Sequence, residues 1–209
     1  MKDLKGIIFD CDGVLFESRQ ANLAYYNTIF AEMGETLVIS ADDGPRAQLC
    51  HTACSHDVFV ELLGPQKAQH ALECAAGLDY RRFIPYMQPE PGMAQTLDRL
   101  SRRFSLALAT NRGTSAEPIL EHFDLRHHFS AVVTSRDVPR PKPSPDMLHL
   151  ALQRLGLAGE QVLYIGDSDL DRQAAREAKI LFAAYKTDVR GDLVLESFSG
   201  LLDWVGDAG

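Results

Sequence analysis

The sequence predicts an α/β fold in which a mainly parallel sheet carries helices on its faces and is interrupted once by an inserted helical unit. Short, unbroken apolar runs recur along the chain, the pattern of strands buried on both faces. Stretches with helical apolar spacing separate most of these runs, and such alternation implies right-handed crossovers between parallel strands. One interval, residues 16–88, departs from the alternation: it shows amphipathic helical patterns and no clear strand.

In chain order, Gly6-Ile7-Ile8-Phe9 reads as the first buried strand, stopping at the polar loop Asp10-Cys11-Asp12-Gly13. Within the insertion, Leu23, Tyr26, Asn27, Phe30 and Met33 lie near one face of a helix over 21–33, and Val58-Phe59-Val60-Glu61-Leu62-Leu63 continues the helical theme. Pro85, Pro89 and Pro91-Gly92 mark its end, because proline breaks helices and stiffens connections. Further strands are expected at 104–110, 131–134, 161–165 and 180–184, with helices at 93–103, 116–123, 145–155 and 170–179. Residues 192–205 read as a short strand followed by a helix.

The 209 residues exceed the usual single-domain mode of ~100–150, leaving room for one full core plus a smaller unit. With 29 acidic against 21 basic residues the net charge is −8, a field that repels nucleic acid and anionic membranes, so any phosphate site must be local. No apolar stretch of ~20 residues occurs, and Met1-Lys2-Asp3 leads into the first strand without a signal-peptide pattern, which makes the cytoplasm the expected location. Four cysteines, Cys11, Cys50, Cys54 and Cys74, are too few for a disulfide framework and read as reduced thiols. The cluster Cys50-His51-Thr52-Ala53-Cys54-Ser55-His56 invites a zinc reading. It lacks a second ligand cluster at zinc-finger spacing, and cysteines four apart on a helix more often pack inward.

Four polar groups stand at or just beyond the ends of expected strands, where open parallel sheets build their sites. Asp10 and Asp12 flank Cys11 at the end of the first; two close carboxylates repel unless a cation or a shared proton offsets them. A solvated turn pair bent by Gly13 is the plain alternative. Thr110-Asn111-Arg112-Gly113 offers a hydroxyl and backbone amides at a strand-to-helix turn, suited to phosphate but also common as a helix cap. Arg140-Pro141-Lys142-Pro143-Ser144-Pro145 fixes one lysine between prolines, as a positioned cation or as a stiff surface loop. Gly166-Asp167-Ser168-Asp169-Leu170-Asp171 supplies hard oxygen donors facing Asp10 and Asp12, with Asp169 placed to cap the next helix.

These residues resemble the haloacid dehalogenase-like hydrolase superfamily, whose four motifs match Asp10-Cys11-Asp12-Gly13-Val14, Thr110-Asn111, Lys142-Pro143 and Gly166-Asp167-Ser168-Asp169-Leu170-Asp171. The pattern is most similar to the phosphoglycolate phosphatase and beta-phosphoglucomutase group. The resemblance implies a Rossmann-like parallel-sheet core over 1–15 and 89–209 with an inserted α-helical cap domain over 16–88. It implies Asp10 as nucleophile, Asp12 as general acid and base, Thr110 and the Asn111 amide as holders of phosphoryl oxygens, and Lys142 as the neutralising cation. Magnesium is expected at Asp10, Asp12, Asp167 and Asp171, and the substrate is expected to be a small phosphate ester. Asp12 stands where dehalogenating members carry a non-acidic residue, which favours phosphoryl transfer. Val14 replaces a frequent Thr, and Glu17 a common Asp.

In the cap, Asp43-Gly44-Pro45-Arg46 resembles the loop that family members turn toward the site, so Arg46 is expected to grip a substrate anion, the alternative being an exposed arginine near a helix start. Arg140 and Arg112 are further substrate-binding candidates on the core side. A phosphosugar mutase would use the same chemistry. A phospho-accepting regulatory module would combine similar residues, although an insertion of this length fits a cap better than a compact receiver.

Overall fold

The computed structural model describes residues 3–206; residues 1–2 and 207–209, the outermost ends of the expected core, lie outside the described residues. Its strands are β1 (Gly6–Phe9), β2 (Phe16–Glu17), β3 (Gln88–Pro89), β4 (Ser105–Thr110), β5 (Ala131–Thr134), β6 (Val162–Gly166), β7 (Leu181–Tyr185) and β8 (Leu193–Leu195). Its α-helices are α1 (Arg19–Glu32), α2 (Pro45–Thr52), α3 (Ser55–Leu63), α4 (Pro65–Gly77), α5 (Met93–Ser101), α6 (Ala116–His122), α7 (Asp146–Leu155), α8 (Asp169–Ala178) and α9 (Phe198–Trp204). Six strands pair in parallel in the order β5-β4-β1-β6-β7-β8, as the alternation of strands and helices requires.

The register explains the apolar runs. Ile7 lies beside Leu106 and Leu163, while Ile8 lies beside Ala107 and Tyr164. The first trio joins a core with Met93, Leu97, Leu120 and Phe198; the second joins a core with Met147, Leu148, Ala174 and Ala175. Successive residues thus face opposite helical layers, and both must be apolar. The first polar residue after β1, Asp10, is therefore delivered at the carboxyl edge of a central strand, and its amide donates to Ile165 O at 2.9 Å.

Helices α1 to α4 pack around a third apolar core that includes Tyr26, Phe30, Val58, Phe59 and Ala71. The two ends of this insertion behave differently: Phe16, Ala21, Tyr80, Phe83 and Met87 pack into a core of the sheet. The chain enters and leaves through β2 and β3, which pair antiparallel with Phe16 opposite Pro89 and Glu17 opposite Gln88. Cys50 and Cys54 are both buried free thiols but do not share a helix: Cys50 lies in α2, and Cys54 is the extended residue that precedes α3, because the backbone turns extended at Ala53. No described helix is long and apolar enough to cross a membrane.

Because Phe30 is fully buried beside Phe59 in the cap's own core, Phe30→Ala is expected to cost about 3–5 kcal/mol locally. Hydrogen exchange should then speed up in α1, α3 and α4 while β1, β4 and β6 keep their protection. Equal acceleration in both regions would show that the cap and the sheet unfold as one unit.

Candidate active site

The carboxyl edges of β1, β4 and β6 bring Asp10, Thr110 and Asp167 to one place, and the loop before α7 adds Lys142. Lys142 is 3% exposed, so its ammonium survives only if its three protons are accepted. It lies 2.9 Å from Asp10 Oδ1, and donates to Asp171 Oδ1 at 2.6 Å, Tyr164 Oη at 3.0 Å and Ala109 O at 3.2 Å. Burial works to lower its pKa, but Asp10 and Asp171 outweigh burial and raise it, so the lysine stays charged. Asn111 holds it in position: its Oδ1 accepts from Lys142 N at 3.0 Å, and its Nδ2 donates to Lys142 O at 3.1 Å and to Thr52 O of the cap at 3.0 Å. The Asn111 side chain is thus committed to the lysine loop rather than to substrate. Thr110 is fully buried, and its hydroxyl accepts from the Arg112 amide at 3.2 Å.

Asp12 faces a second cation. Arg112 Nε donates to Asp12 Oδ2 at 2.8 Å and its Nη2 to Oδ1 at 2.6 Å, with Ser18 Oγ and Asn22 Nδ2 donating to Oδ1 as well. Burial pushes the Asp12 pKa up, yet the Arg112 guanidinium prevails and holds it below the usual carboxylate range. Arg112 also donates to Asn22 Oδ1 at 2.8 Å and lies over the Tyr80 ring, 4.8 Å from its centroid, so this pair ties the sheet to the cap.

Among the described residues, one grouping of three or more acidic, His or Cys side chains could hold a metal: Asp10, Asp167 and Asp171, with ligand atoms all within 4.8 Å of one another. The fit to a hard cation rests on three observations. Asp10 Oδ1 has the Lys142 ammonium at 2.9 Å as its one partner, an ion pair, and no other hydrogen-bond donor among the described residues reaches it. Burial first, and then the nearby Asp171, Asp12 and Asp167 against the opposing Lys142, push the Asp10 pKa up to about 8; Asp167 is raised too, chiefly by burial. At Gly13, with φ at +72°, a Cβ would overlap the Asp167 carboxylate, so the glycine makes the space that Asp167 occupies. Oxygen donors in this arrangement suit magnesium. Asp171 belongs to the grouping, but its oxygens already accept from Lys142, Tyr164 and Ser168. Asp12, expected beside the metal, lies outside the grouping because Arg112 engages its carboxylate.

The cap closes over these groups and leaves a cavity of about 740 Å³, reached by Asp10, Asp12, Thr110, Asn111, Arg112 and Arg140 from the core side. Arg140 is exposed and paired with Asp146 at 2.9 Å. Arg46 corrects the expectation for the cap: it is exposed in the first turn of α2 and does not line the cavity, because the opposite end of that helix points inward. That inner end carries His51. Its side chain is 1% exposed, its Nε2 lies 3.7 Å from Asp167 Oδ2, and neither ring nitrogen has a hydrogen-bond partner. Burial works to lower the His51 pKa, and the carboxylates of Asp167 and Asp12 overcome it and raise it.

A family model described as "Haloacid dehalogenase-like hydrolase" matches residues 7–185. The chain is similar to a phosphoglycolate phosphatase of Escherichia coli (strain K12), at 42% identity over 85% of this chain and 79% of that protein. A phosphoglycolate phosphatase of Salmonella paratyphi A is 43% identical with the same coverage. Among solved structures, a HAD-superfamily hydrolase of subfamily IA from Geobacter sulfurreducens superposes with a TM-score of 0.83 and 35% identity, over 96% of this chain and 99% of that one.

The packing of Asp167 against Gly13 predicts that, if this grouping takes up a divalent cation, Gly13→Ala weakens that binding roughly 10- to 100-fold, the usual cost of disturbing a ligand's support. Titration calorimetry of the two proteins measures it, and an unchanged affinity would remove Asp167 from the metal site.

Proposed function

The chain belongs to the haloacid dehalogenase-like hydrolase family and is a hydrolase of the phosphoglycolate phosphatase type, and on that premise we propose that it releases phosphate from a small phosphorylated metabolite through an aspartyl-phosphate on Asp10, with magnesium. The observation that carries this reading is Asp10 at the sheet edge, its Oδ1 2.9 Å from a buried lysine ammonium and its carboxylate within reach of a second acidic side chain.

Asp10 and Asp167 would hold the metal, which when bound supplies positive charge against the transferring oxygens and favours the ionised form of Asp10. The carboxylate of Asp10 attacks phosphorus, the bond to the ester oxygen breaks, and the phosphoryl group is carried as a mixed anhydride. Lys142 offsets charge on the oxygens beside Asp10, and Asp171, Tyr164 and Asn111 orient Lys142. Asp12, protonated for the first step, gives its proton to the leaving oxygen; as a carboxylate it then takes one from the water that attacks phosphorus and frees Asp10. The form in which Arg112 holds Asp12 is the one the second step needs. Water reaches the anhydride only beneath the cap, whose Thr52 carbonyl is already tied to Asn111. A cytoplasmic location belongs to the same proposal, a reducing compartment suiting four cysteines that are all free thiols.

Purified protein with magnesium should release inorganic phosphate from small phosphate esters and stop when the metal is chelated; transfer within the substrate without free phosphate would instead identify a mutase. Asp10→Asn should abolish both turnover and acid-stable labelling by phosphate, and retained labelling would place the nucleophile elsewhere. Asp12→Asn should slow turnover roughly 100- to 10,000-fold and accumulate phospho-enzyme with an aryl phosphate but not with an alkyl phosphate. Rapid quench compares the two, and equal losses without accumulation would confine Asp12 to a supporting role.

A further inference from the structure

Among the described residues, three arginines line the chamber above Asp10: Arg112, Arg136 and Arg140. Two are committed, Arg112 to Asp12 at 2.6 Å and Arg140 to Asp146 at 2.9 Å. The acidic side chains nearest Arg136 in the same loops are engaged elsewhere, Asp137 by Arg154 at 2.9 Å and Glu117 by Arg126 at 2.9 Å, and the Arg136 guanidinium has no partner among the described residues. An unpaired guanidinium at the mouth of a phosphoester chamber is a ready seat for an anion, because its planar fork matches the edge of a carboxylate or phosphate.

The base of this side chain is fixed. Ser135 N and Oγ both donate to Arg112 O, at 3.0 and 3.2 Å, which stitches the loop after β5 to the loop after β4. The turn around Arg136 is closed by the Thr134 amide and hydroxyl, which donate to Asp137 Oδ2 at 2.8 and 2.7 Å, and by the Arg136 amide, which donates to Thr134 Oγ1 at 3.3 Å. The stem then lies along Gly113, where a Cβ would stand 3.5 Å from Arg136 Cδ. Arg136 also lines a more open groove of about 500 Å³ beside β5, so it stands at the divide between the chamber and the outside. In the sheet order β5 is two strands from β1, and strands lie roughly 4.8 Å apart, so a guanidinium whose stem lies over the β4 loop stands about 5–10 Å along the sheet from Asp10. An extended chain gains about 1.2 Å per bond, so the three bonds from phosphorus to the carboxyl carbon of phosphoglycolate fall short, and roughly four to eight are needed. The chamber, of about 740 Å³, has room for the intervening carbons along its cap wall of Tyr25, Tyr26, Leu72 and Leu78.

Resting on the phosphatase reading, we propose that Arg136 sets substrate specificity: the substrate is a phosphate monoester whose carbon chain carries a second anionic group roughly four to eight bonds from the ester phosphorus, and the Arg136 guanidinium takes that group at the chamber mouth. A two-carbon phosphoacid leaves its carboxylate over the acidic floor, short of the guanidinium.

Two pairs of probes separate charge from length: phosphoglycolate with its amide, and 5-phosphooxypentanoate, whose carboxyl carbon is six bonds from phosphorus, with its amide. Their dissociation constants are measured by calorimetry on the Asp10→Asn protein with magnesium, where no turnover intervenes. The pentanoate is expected to bind about 3- to 30-fold more tightly than its amide, and phosphoglycolate to exceed its own amide by less than about 2-fold. Arg136→Ala should erase the pentanoate's advantage and leave its amide unaffected, while Arg136→Lys, a point charge without the fork, keeps part of it. Equal binding of the pentanoate and its amide, an equal advantage in the phosphoglycolate pair, an advantage that survives Arg136→Ala, a loss shared by acid and amide as a merely structural arginine would give, or no binding of any probe would each overturn the proposal. If Arg136→Ala does not fold, Arg136→Gln takes its place with the same expected outcome. Phosphate release by the unmodified enzyme from p-nitrophenyl phosphate is scored separately: its absence would end the phosphatase reading while the binding order still decides this one.

Discussion

A single ammonium group buried among carboxylates organises this molecule. Lys142 has its charge balanced by Asp10 and Asp171, and its remaining directions are filled by Tyr164 and the Ala109 carbonyl. Such a charge is tolerable only where geometry supplies every partner, since removal of one partner from a buried pair typically costs about 3–5 kcal/mol. The demand reaches outward: Asn111 exists in its observed pose to grip the lysine's backbone, Ser168 to pin Asp171, and Gly166 to leave room for the Asp171 side chain, which a Cβ there would meet at 2.5 Å. Four chain segments far apart in sequence are held in register by one nitrogen.

The site divides its charges into two sets. Arg112 holds Asp12, and Lys142 holds Asp171, each in a short, buried ion pair. Asp10 and Asp167 remain incompletely compensated, and their raised pKa values are the physical mark of that deficit. Four acidic side chains that look alike in the sequence therefore differ in kind. Two are bound up by basic side chains, and two are left in the state that a cation or a phosphoryl group would relieve.

Much of this was legible in the residues themselves. Gly6-Ile7-Ile8-Phe9 had to be a strand covered on both faces, because four consecutive apolar residues leave no face for water, and Asp10 had to emerge at its end. The loops carrying Thr110, Lys142 and Asp167 followed from the same logic of strand ends. Contacts made across the cap could not be read this way. Arg46 attracted notice for its charge and loop position, yet a helix of eight residues turns its two ends to different surroundings, and the inward end belongs to His51. His51 was visible only as a neighbour of two cysteines, since nothing local announces that a ring will be buried over an acidic floor. Arg112 was weighed for substrate, and its partner Asp12 is 100 residues away. Tyr164 did leave a trace: a phenol inside an otherwise aliphatic strand needs a hydrogen-bond partner, and one was to be sought at the sheet edge.

The pairing of β2 with β3 has a consequence for how such a protein can change over generations. Both junctions of the helical segment meet as neighbouring strands, so the sheet experiences the whole intervening stretch as one closed loop whose ends are already joined. Closing a longer loop adds only a slowly growing entropic cost, about 0.6 kcal/mol per doubling. Parts of the insertion that neither pack into the sheet's core nor touch Asp12, Asn111 and Arg112 can therefore be lengthened or shortened without shifting β1 or the groups at its end. Modularity of this kind lets one unchanged piece of chemistry be offered to new molecules by altering only parts of its roof.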